Sequence, residues 1–347
     1  MIRLKAALFA DLNGTVEGLR SALQNAIELE HATIPPYLYA LYSIKPGTNL
    51  EIAGLIKSIV NQEMLHMALD CNILNAIGGT PKIDDPCFVP KYPGPLPGGV
   101  EDDLIVPLAP FSKQLLNDVF MAIEEPEDPI HYPVLELLAG EAPRQETIGE
   151  FYAGIVDQIR KLSKDGIFAG DPKRQLATGF PPLQTIQVHD AATAVEAIEL
   201  IVRQGEGTKD SPLDPEHGLA HYYKYAEIYY GKKLIPNPNP APGAPDYVYG
   251  GHGIAFDPAA VWPVVTNPDR HIYPPGSKTG QLNHAFNSTY TALLKSLQLV
   301  FSGEPDRLGP AIELMLEMQA QARVLMSTET VPGQTAGPTF EYTPGKQ

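Results

Sequence analysis

The chain has 347 residues, of which 44% are hydrophobic and 19% charged, so a sizeable core is expected and global disorder is not. Its net charge of −16 argues against nucleic acid or an anionic membrane as a partner. No apolar run approaches the ~18–20 residues of a membrane span, and the N-terminus lacks a full signal-peptide core. We therefore expect one cytoplasmic domain over residues 1–347, with reduced Cys71 and Cys87 and with homo-oligomerisation left open.

The first two predicted helices, over about 15–44 and 50–77, form an antiparallel hairpin. In both helices apolar residues recur at steps of three and four, which indicates amphipathic helices. Pro35 and Pro36 lie inside the first helix. They are expected to kink or break it and to leave carbonyls around Ala32 in need of partners.

Three polar residues stand where the apolar stripes of this hairpin would continue. Glu63 and His66 are three apart, so both side chains leave one face of the second helix. A Glu-x-x-His pair facing a core is the unit from which four-helix bundles build metal sites. Glu30 lies about 18 residues before a predicted capping box at 48–51, and Glu63 about 15 after it, so at ~1.5 Å per residue the two acids reach nearly the same level.

The rest of the chain supplies more helices, separated by long irregular connections rich in proline and glycine. The predicted segments are an insertion (80–188) with helices around 111–124 and 145–164, bundle helices at about 190–206 and 216–231, a covering loop (232–278), and C-terminal helices at about 279–302 and 308–329 before an extended tail. A long link between two helical hairpins is what a ferritin-type bundle requires. The predicted fold is therefore all-α, a ferritin-like four-helix bundle with additional helices.

The second half of the predicted site is less complete than the first. Glu206 closes the third bundle helix and His221 opens the fourth, so a hairpin would bring them together. A full dinuclear site would repeat Glu-x-x-His on the fourth helix, but Gly218 stands three residues before His221. Glu199 or Glu216 could substitute, although Glu199 could equally be solvated and Glu216 could simply favour the helix dipole.

The repulsion between buried carboxylates is usually offset by a bound divalent cation. The candidate metal ligands are Glu30, Glu63, His66, Glu206 and His221. Carboxylate oxygens with one imidazole per half-site suit iron, mononuclear or dinuclear, while manganese and zinc stay open. Each imidazole also needs an acceptor for its other nitrogen, for which Glu227 or a tyrosine is a candidate.

Several longer motifs accompany these residues. They are the run 29–43 with Glu30 and Pro35-Pro36, Glu63-x-x-His66, Gln204-Gly205-Glu206-Gly207, His221-Tyr222, and Gly337-Pro338-Thr339-Phe340. Together they resemble the ferritin-like family of iminophenyl-pyruvate dimer synthases. That family couples two imines derived from an aromatic amino acid in the synthesis of bis-indole pigments, but its members are much longer chains. The resemblance implies a metal site at the same five residues and leaves the substrate open.

The sequence thus predicts a metal-binding protein, interpreted as a non-haem iron oxidoreductase acting on a small, amino-acid-derived substrate. No catalytic residue beyond the ligands is assigned. Two alternatives remain: a metal-binding or storage protein without turnover, and a bundle that has lost its metal, with Gly218 as the sign of decay.

Overall fold

The computed structural model describes residues 10–97, 104–126, 130, 132–133, 148–178, 184–207, 211–214, 218–238 and 244–343. Within these ranges the chain is mainly helical. The helices are α1 (Val16–Ser43), α2 (Leu50–Ala76), α3 (Lys113–Leu115, a π-helical turn Leu116–Phe120, and Met121–Ile123), α4 (Ile148–Leu162), α5 (Ala191–Glu206), α6 (His221–Tyr230), α7 (Lys278–Val300) and α8 (Leu308–Met326). The predicted all-α architecture is confirmed.

Three two-stranded antiparallel sheets accompany the helices in the described ranges. They pair β1 (Leu213–Asp214) with β2 (Gly218–Leu219), β3 (Lys232–Pro236) with β4 (Tyr247–Gly253), and β5 (Glu329–Val331) with β6 (Gln334–Thr335). None of the helices in the described ranges has the length and hydropathy needed to span a membrane. The two cysteines are free thiols, Cys71 buried and Cys87 exposed.

Helix α1 runs without interruption through its two internal prolines. It begins where the Thr15 side chain accepts a hydrogen bond from the Gly18 backbone N–H at 3.0 Å. Proline at position 36 leaves the Ala32 carbonyl without its helical donor, and the Tyr92 hydroxyl donates to that carbonyl at 2.7 Å. The two prolines therefore do not break the helix, and the Ala32 carbonyl has a partner from outside the helix, as the sequence predicts it to need.

Helix α2 begins differently from the prediction and ends as predicted. The capping box at 48–51 is wrong: the Thr48 hydroxyl donates instead to the Lys45 carbonyl at 2.6 Å, and the cap residue Asn49 is left-handed with φ 42° and no capping side-chain bond. At the other end Gly78 takes φ 72°, a conformation that favours glycine, and the chain leaves the helix there.

The bundle is completed by α5 and α6, which pack against α2, while α4 contacts α1 and α5. Asp190 caps α5 as predicted, in a reciprocal pair with Thr193. Helix α6 is shorter than the predicted 216–231. Gly218, with φ 88°, pairs in β2 with Asp214 of β1, and the helix starts only at His221.

The C-terminal helices α7 and α8 form a second hairpin, which packs on another side of α1 and α2. The predicted extended tail is packed along it: Phe340 is buried, and the Thr339 side chain accepts hydrogen bonds from Asn283 and Asn287. The predicted covering loop contains the β3–β4 hairpin. As a result, the α1–α2 hairpin is covered on both sides.

Candidate metal centre

Two groups of possible metal ligands share one carboxylate in the protein interior. The first group is Glu30, Glu63 and His66, and the second is Glu63, Glu124 and His221. Within each group the ligand atoms all lie within 4.8 Å of one another. The Glu63 carboxylate therefore stands between two half-sites, each with a second carboxylate and one imidazole.

The imidazoles direct the same nitrogen, Nδ1, towards the carboxylates. His66 Nδ1 lies 3.4 Å from Glu30 Oε2, and His221 Nδ1 lies 2.9 Å from Glu63 Oε1 and 3.3 Å from Glu124 Oε2. The two rings are stacked, with centroids 5.4 Å apart. Glu63 is 3% exposed and His221 0%, so these groups are out of water.

The backbone explains how distant positions meet. Glu30 and Glu63 lie at one level of the antiparallel α1–α2 hairpin, as predicted, and His66 follows on the next turn of α2. His221 is the first residue of α6. Glu124 ends α3, directly after the π-helical turn and the last α-helical turn, and π-turns inside helices are frequent at functional sites.

Gln62 fixes the orientation of the His221 ring. Its side-chain oxygen accepts from the Lys224 ammonium, which can only donate, so the oxygen end of the amide is the one facing the centre. The same oxygen lies 3.2 Å from His221 Nε2, which must then carry the hydrogen. A neutral imidazole with hydrogen on Nε2 presents a lone pair on Nδ1, and that lone pair faces Glu63 and Glu124.

Other hydrogen bonds hold the remaining ligands. His66 Nε2 lies 2.9 Å from the Gln204 side-chain oxygen. The Tyr37 hydroxyl donates to Glu124 at 2.5 Å, and the Thr33 hydroxyl donates to Glu63 at 2.8 Å. The sequence predicted a tyrosine as an acceptor for an imidazole nitrogen, but Tyr37 instead donates to a carboxylate.

Glu227, the other predicted acceptor for a ligand imidazole, serves elsewhere. It accepts from the Lys233 ammonium at 2.7 Å and from the Leu234 backbone N–H at 2.8 Å. It therefore anchors β3 to α6, and the acceptors for the imidazoles are two glutamines.

Tyr152 links Glu30 to a further buried acid. Its hydroxyl lies 2.7 Å from Glu30 Oε1 and 2.8 Å from Asp70 Oδ2. A phenol has one proton, so it can donate to only one of two carboxylates, and the other must itself bring a proton. Burial, and next the Glu30 charge, raise the pKa of Asp70. The Asp70 carboxyl thus donates to Tyr152, which donates to Glu30.

The electrostatics of the centre call for a cation. Burial, together with the nearby Glu124 and Glu30 carboxylates, raises the pKa of Glu63 well above its ordinary value. Burial acts on Glu30 in the same direction, but the hydrogen bond and charge of His66 outweigh it and leave the Glu30 pKa lowered. Burial lowers the pKa of His221, so its imidazole is neutral. A divalent ion would let all the carboxylates ionise, which is the chemistry of a metal site.

The space beside the ligands is small. A cavity of about 50 Å³ is lined by Glu30, Glu63, Glu124 and both imidazoles, together with apolar side chains such as Ile123 and Ile201. A water molecule occupies about 30 Å³ of liquid, so such a cavity admits species of the size of water or dioxygen.

The structure brings together four of the five predicted ligands: Glu30, Glu63, His66 and His221. The side chain of the fifth, Glu206, lies outside the described part of the structure, as does Glu216. Glu199 does not substitute for the acid missing at Gly218. Its side chain is 56% exposed and lies 3.6 Å from Arg203.

Glu124 is the second acid beside His221, which the sequence analysis did not find. It lies in the predicted insertion, far from the motif, and the only local feature is a helix ending in two acids before Pro126. Asp70 carried a clearer signal, since it follows His66 by four residues on the same face of α2. Gln62 had none, and Gln204 appeared only as part of the Gln204-Gly205-Glu206-Gly207 motif, with no role assigned to it.

Comparison with known proteins agrees with this architecture. Residues 23–230 match the sequence model of the Ferritin-like family, which is more than half of the chain, so this chain belongs to the ferritin-like family. The chain is 25% identical to dichlorochromopyrrolate synthase of Lentzea aerocolonigenes over 92% of its own length and 35% of the synthase, and thus spans about a third of that relative. Its fold is similar to the crystal structure of a ferritin-like protein from Caulobacter vibrioides, with a TM-score of 0.59, 24% identity, and coverage of 94% and 97% of the two chains.

The resemblance to the ferritin-like family that the motifs predict is therefore confirmed. The agreement concerns family and fold.

Proposed function

We propose that this protein is a non-haem iron oxidoreductase whose centre holds two ions through a shared Glu63. The observation that carries the proposal is the position of Glu63 in both ligand groups, with a second acid and one imidazole on each side. Glu30 and His66 would hold one ion, and Glu124 and His221 the other. Two carboxylates and one imidazole per ion favour iron or manganese over zinc.

The protonation states of the candidate ligands suit a bound ion, as do their positions. The neutral His221 imidazole offers its Nδ1 lone pair, and a bound ion would displace the proton that burial holds on Glu63. Bound iron would supply redox activation of dioxygen. The chain would position Glu124 through Tyr37, orient the imidazoles through the two glutamines, and exclude water by burial.

The chain of hydrogen bonds from Asp70 through Tyr152 supports proton delivery in this proposal. It ends on Glu30 Oε1, whereas the other oxygen of Glu30 faces His66. A proton on Asp70 could therefore reach the ligand set without bulk water.

For the substrate, the proposal extends no further than a small organic molecule derived from an amino acid. The relative is a synthase by name, and the chain spans only 35% of it, so we do not transfer the synthase reaction. The cavity of about 50 Å³ favours dioxygen as the molecule at the centre itself.

The test is to remove metal with a chelator, reload with iron(II) without oxygen, count bound iron by mass spectrometry, and then follow oxygen consumption. We expect about two ions per chain and oxygen uptake. Glu63→Ala should weaken iron binding by about 100-fold or more and abolish uptake, since it removes a ligand from both half-sites. Glu313→Gln, which changes an exposed acid on α8, is the matched control and should behave like the wild type.

Two results would contradict the proposal. If wild type binds no metal, or if Glu63→Ala binds it equally well, the centre is vestigial. If iron binds but no oxygen is consumed with any reductant, the protein is a metal-binding module without turnover.

A further inference from the structure

A second, larger cavity lies on the other side of the α1–α2 hairpin. It measures about 420 Å³, lies between four helices (α1, α2, α7 and α8) and is open to solvent on one side. This volume is within the ~300–1,000 Å³ typical of small-molecule sites. The cavity shares no lining residue with the candidate metal centre.

The lining of this cavity is apolar, elongated and adaptable. Along α1 it extends from His31 to Tyr42, a distance of about 16 Å at 1.5 Å per residue. Leu38 and Ile34 are only partly buried, although they lie in the middle of a covered hairpin, because they face this space. Four of the seven methionines of the chain line it: Met64, Met67, Met315 and Met318. Methionine side chains are flexible and adjust to chains of varied shape.

The polar groups of the lining are few and include one cation. Lys57, on α2, is exposed at the rim and has no ion pair or hydrogen bond within the described part of the chain. Asn61, one turn further along α2, and Gln319, on α8, are likewise without a side-chain partner there. No aspartate or glutamate is among the described residues that line the cavity, in a chain whose net charge is −16.

We propose that this cavity binds a long-chain fatty acid, with the hydrocarbon between the two helical hairpins and the carboxylate at Lys57. A long, methionine-rich apolar space matches one flexible hydrocarbon chain better than a rigid ring system. An unpaired ammonium with the Asn61 amide one turn further along α2 matches an acidic head group. Hydrocarbon that covers these apolar side chains removes them from water, so the filled cavity is also the more stable state.

The experiment measures binding of hexadecanoate to protein first stripped of lipid on a hydrophobic resin, by titration calorimetry. We expect saturable binding of one molecule per chain. Shortening the fatty acid by two methylenes should weaken binding by roughly tenfold, which reflects the apolar area lost. Lys57→Gln should weaken hexadecanoate binding by about fivefold or more, with little effect on 1-hexadecanol. Lys164→Gln changes an exposed lysine remote from the cavity lining and is the matched control.

Two variants that fill the cavity test the location of the site. Leu38→Trp on α1 and Met315→Trp on α8 change half-buried side chains from opposite walls. Each should weaken hexadecanoate binding by about 20-fold or more while iron binding stays unchanged, which also shows that the variant is folded. The absence of saturable binding to wild type, or binding unaffected by either tryptophan, would overturn the proposal. A stripped protein that dimerises through this face and takes up no hexadecanoate would also overturn it, since the occupant would then be a second copy.

Discussion

The two sides of the α1–α2 hairpin differ in polarity and in packing, although residues adjacent in sequence form them. Glu30 and Glu63 face the candidate metal centre, whereas the next residues, His31 and Met64, face the large cavity. We call these sides the polar face and the apolar face. The polar face is nearly filled and hydrogen-bonded, with about 50 Å³ of space, while the apolar face leaves about 420 Å³ open.

This contrast follows from the cost of leaving each kind of surface unsatisfied. A buried carboxylate without a partner is costly, so the polar face must close around its hydrogen bonds or a cation. Apolar side chains need no specific partner, so the apolar face can stay open until a ligand fills it. Changes on the polar face should therefore alter metal binding and those on the apolar face should not.

The largest expected effect is on the polar face. Glu124→Ala removes the second acid of one half-site but leaves Glu30, Glu63 and His66 in place. We expect the iron count to fall from about two to about one per chain, with the lost ion bound about 100-fold or more weakly. Hexadecanoate binding should not change. Retention of two tightly bound ions would show that Glu124 is not a ligand.

Substitutions at two leucines of α1 allow packing in the core to be compared with packing on the apolar face. Leu23 is fully buried, whereas Leu38 borders the cavity and is half-buried. Leu23→Ala should lower the free energy of unfolding by about 3 kcal/mol and Leu38→Ala by only about 1 kcal/mol, because the second side chain already lacks neighbours on one side. Urea denaturation of the lipid-free protein measures both values. Equal losses would mean that the cavity is closed in solution.

A smaller effect is expected for the glutamine behind His66. Gln204→Leu keeps the volume but removes the oxygen that lies 2.9 Å from His66 Nε2. Loss of such an orienting acceptor typically weakens metal binding 10- to 100-fold. Competition with a coloured chelator gives the ratio. Gln298→Leu changes a glutamine remote from the centre and should leave the affinity unchanged.

The pH dependence of the metal-free protein tests the acids of the polar face. Glu63 and Asp70 have raised folded pKa values, so the stability they contribute is present below their unfolded pKa values of about 4 and is lost as pH rises through the folded ones. The lowered pKa of His221 acts oppositely, but only below 6.5. As pH rises from about 4, the chelated protein should therefore lose stability until both carboxyls have ionised in the folded state, by up to about 1.4 kcal/mol per pH unit for each retained proton.

The control for this measurement is the same titration of the iron-loaded protein. Bound metal displaces the proton from Glu63, so the part of the downward slope that Glu63 causes should disappear, while the part that Asp70 causes should remain. A metal-free protein whose stability does not fall anywhere between pH 4 and 9 would contradict the raised pKa values of these carboxyls.

The sequence predicts the first half-site well because its information is local. The spacing of Glu63 and His66 on one helix, and the level of Glu30 across a short turn, depend only on helix geometry. The second half-site depends on long-range packing. Glu124 arrives from an insertion whose path no periodicity specifies, and the shortened α6 follows from Gly218 in a left-handed conformation.

The apolar face shows the same limit of sequence-based prediction. Periodicity marks Ile34 and Leu38 as core residues but cannot tell a filled core from an open cavity, since both need the same apolar side chains. The unbroken α1 is a further case. Tyr92, from a distant loop, supplies the donor that Pro36 cannot give to the Ala32 carbonyl.

The central claim is that Glu63 joins two metal sites, and anomalous diffraction at the iron absorption edge tests it most directly. Crystals of protein loaded with iron(II) should show two anomalous peaks, one beside Glu30 and His66 and the other beside Glu124 and His221, with the Glu63 carboxylate between them. Crystals of Glu313→Gln should show the same two peaks. An iron-loaded crystal without a peak at Glu63 would contradict the claim.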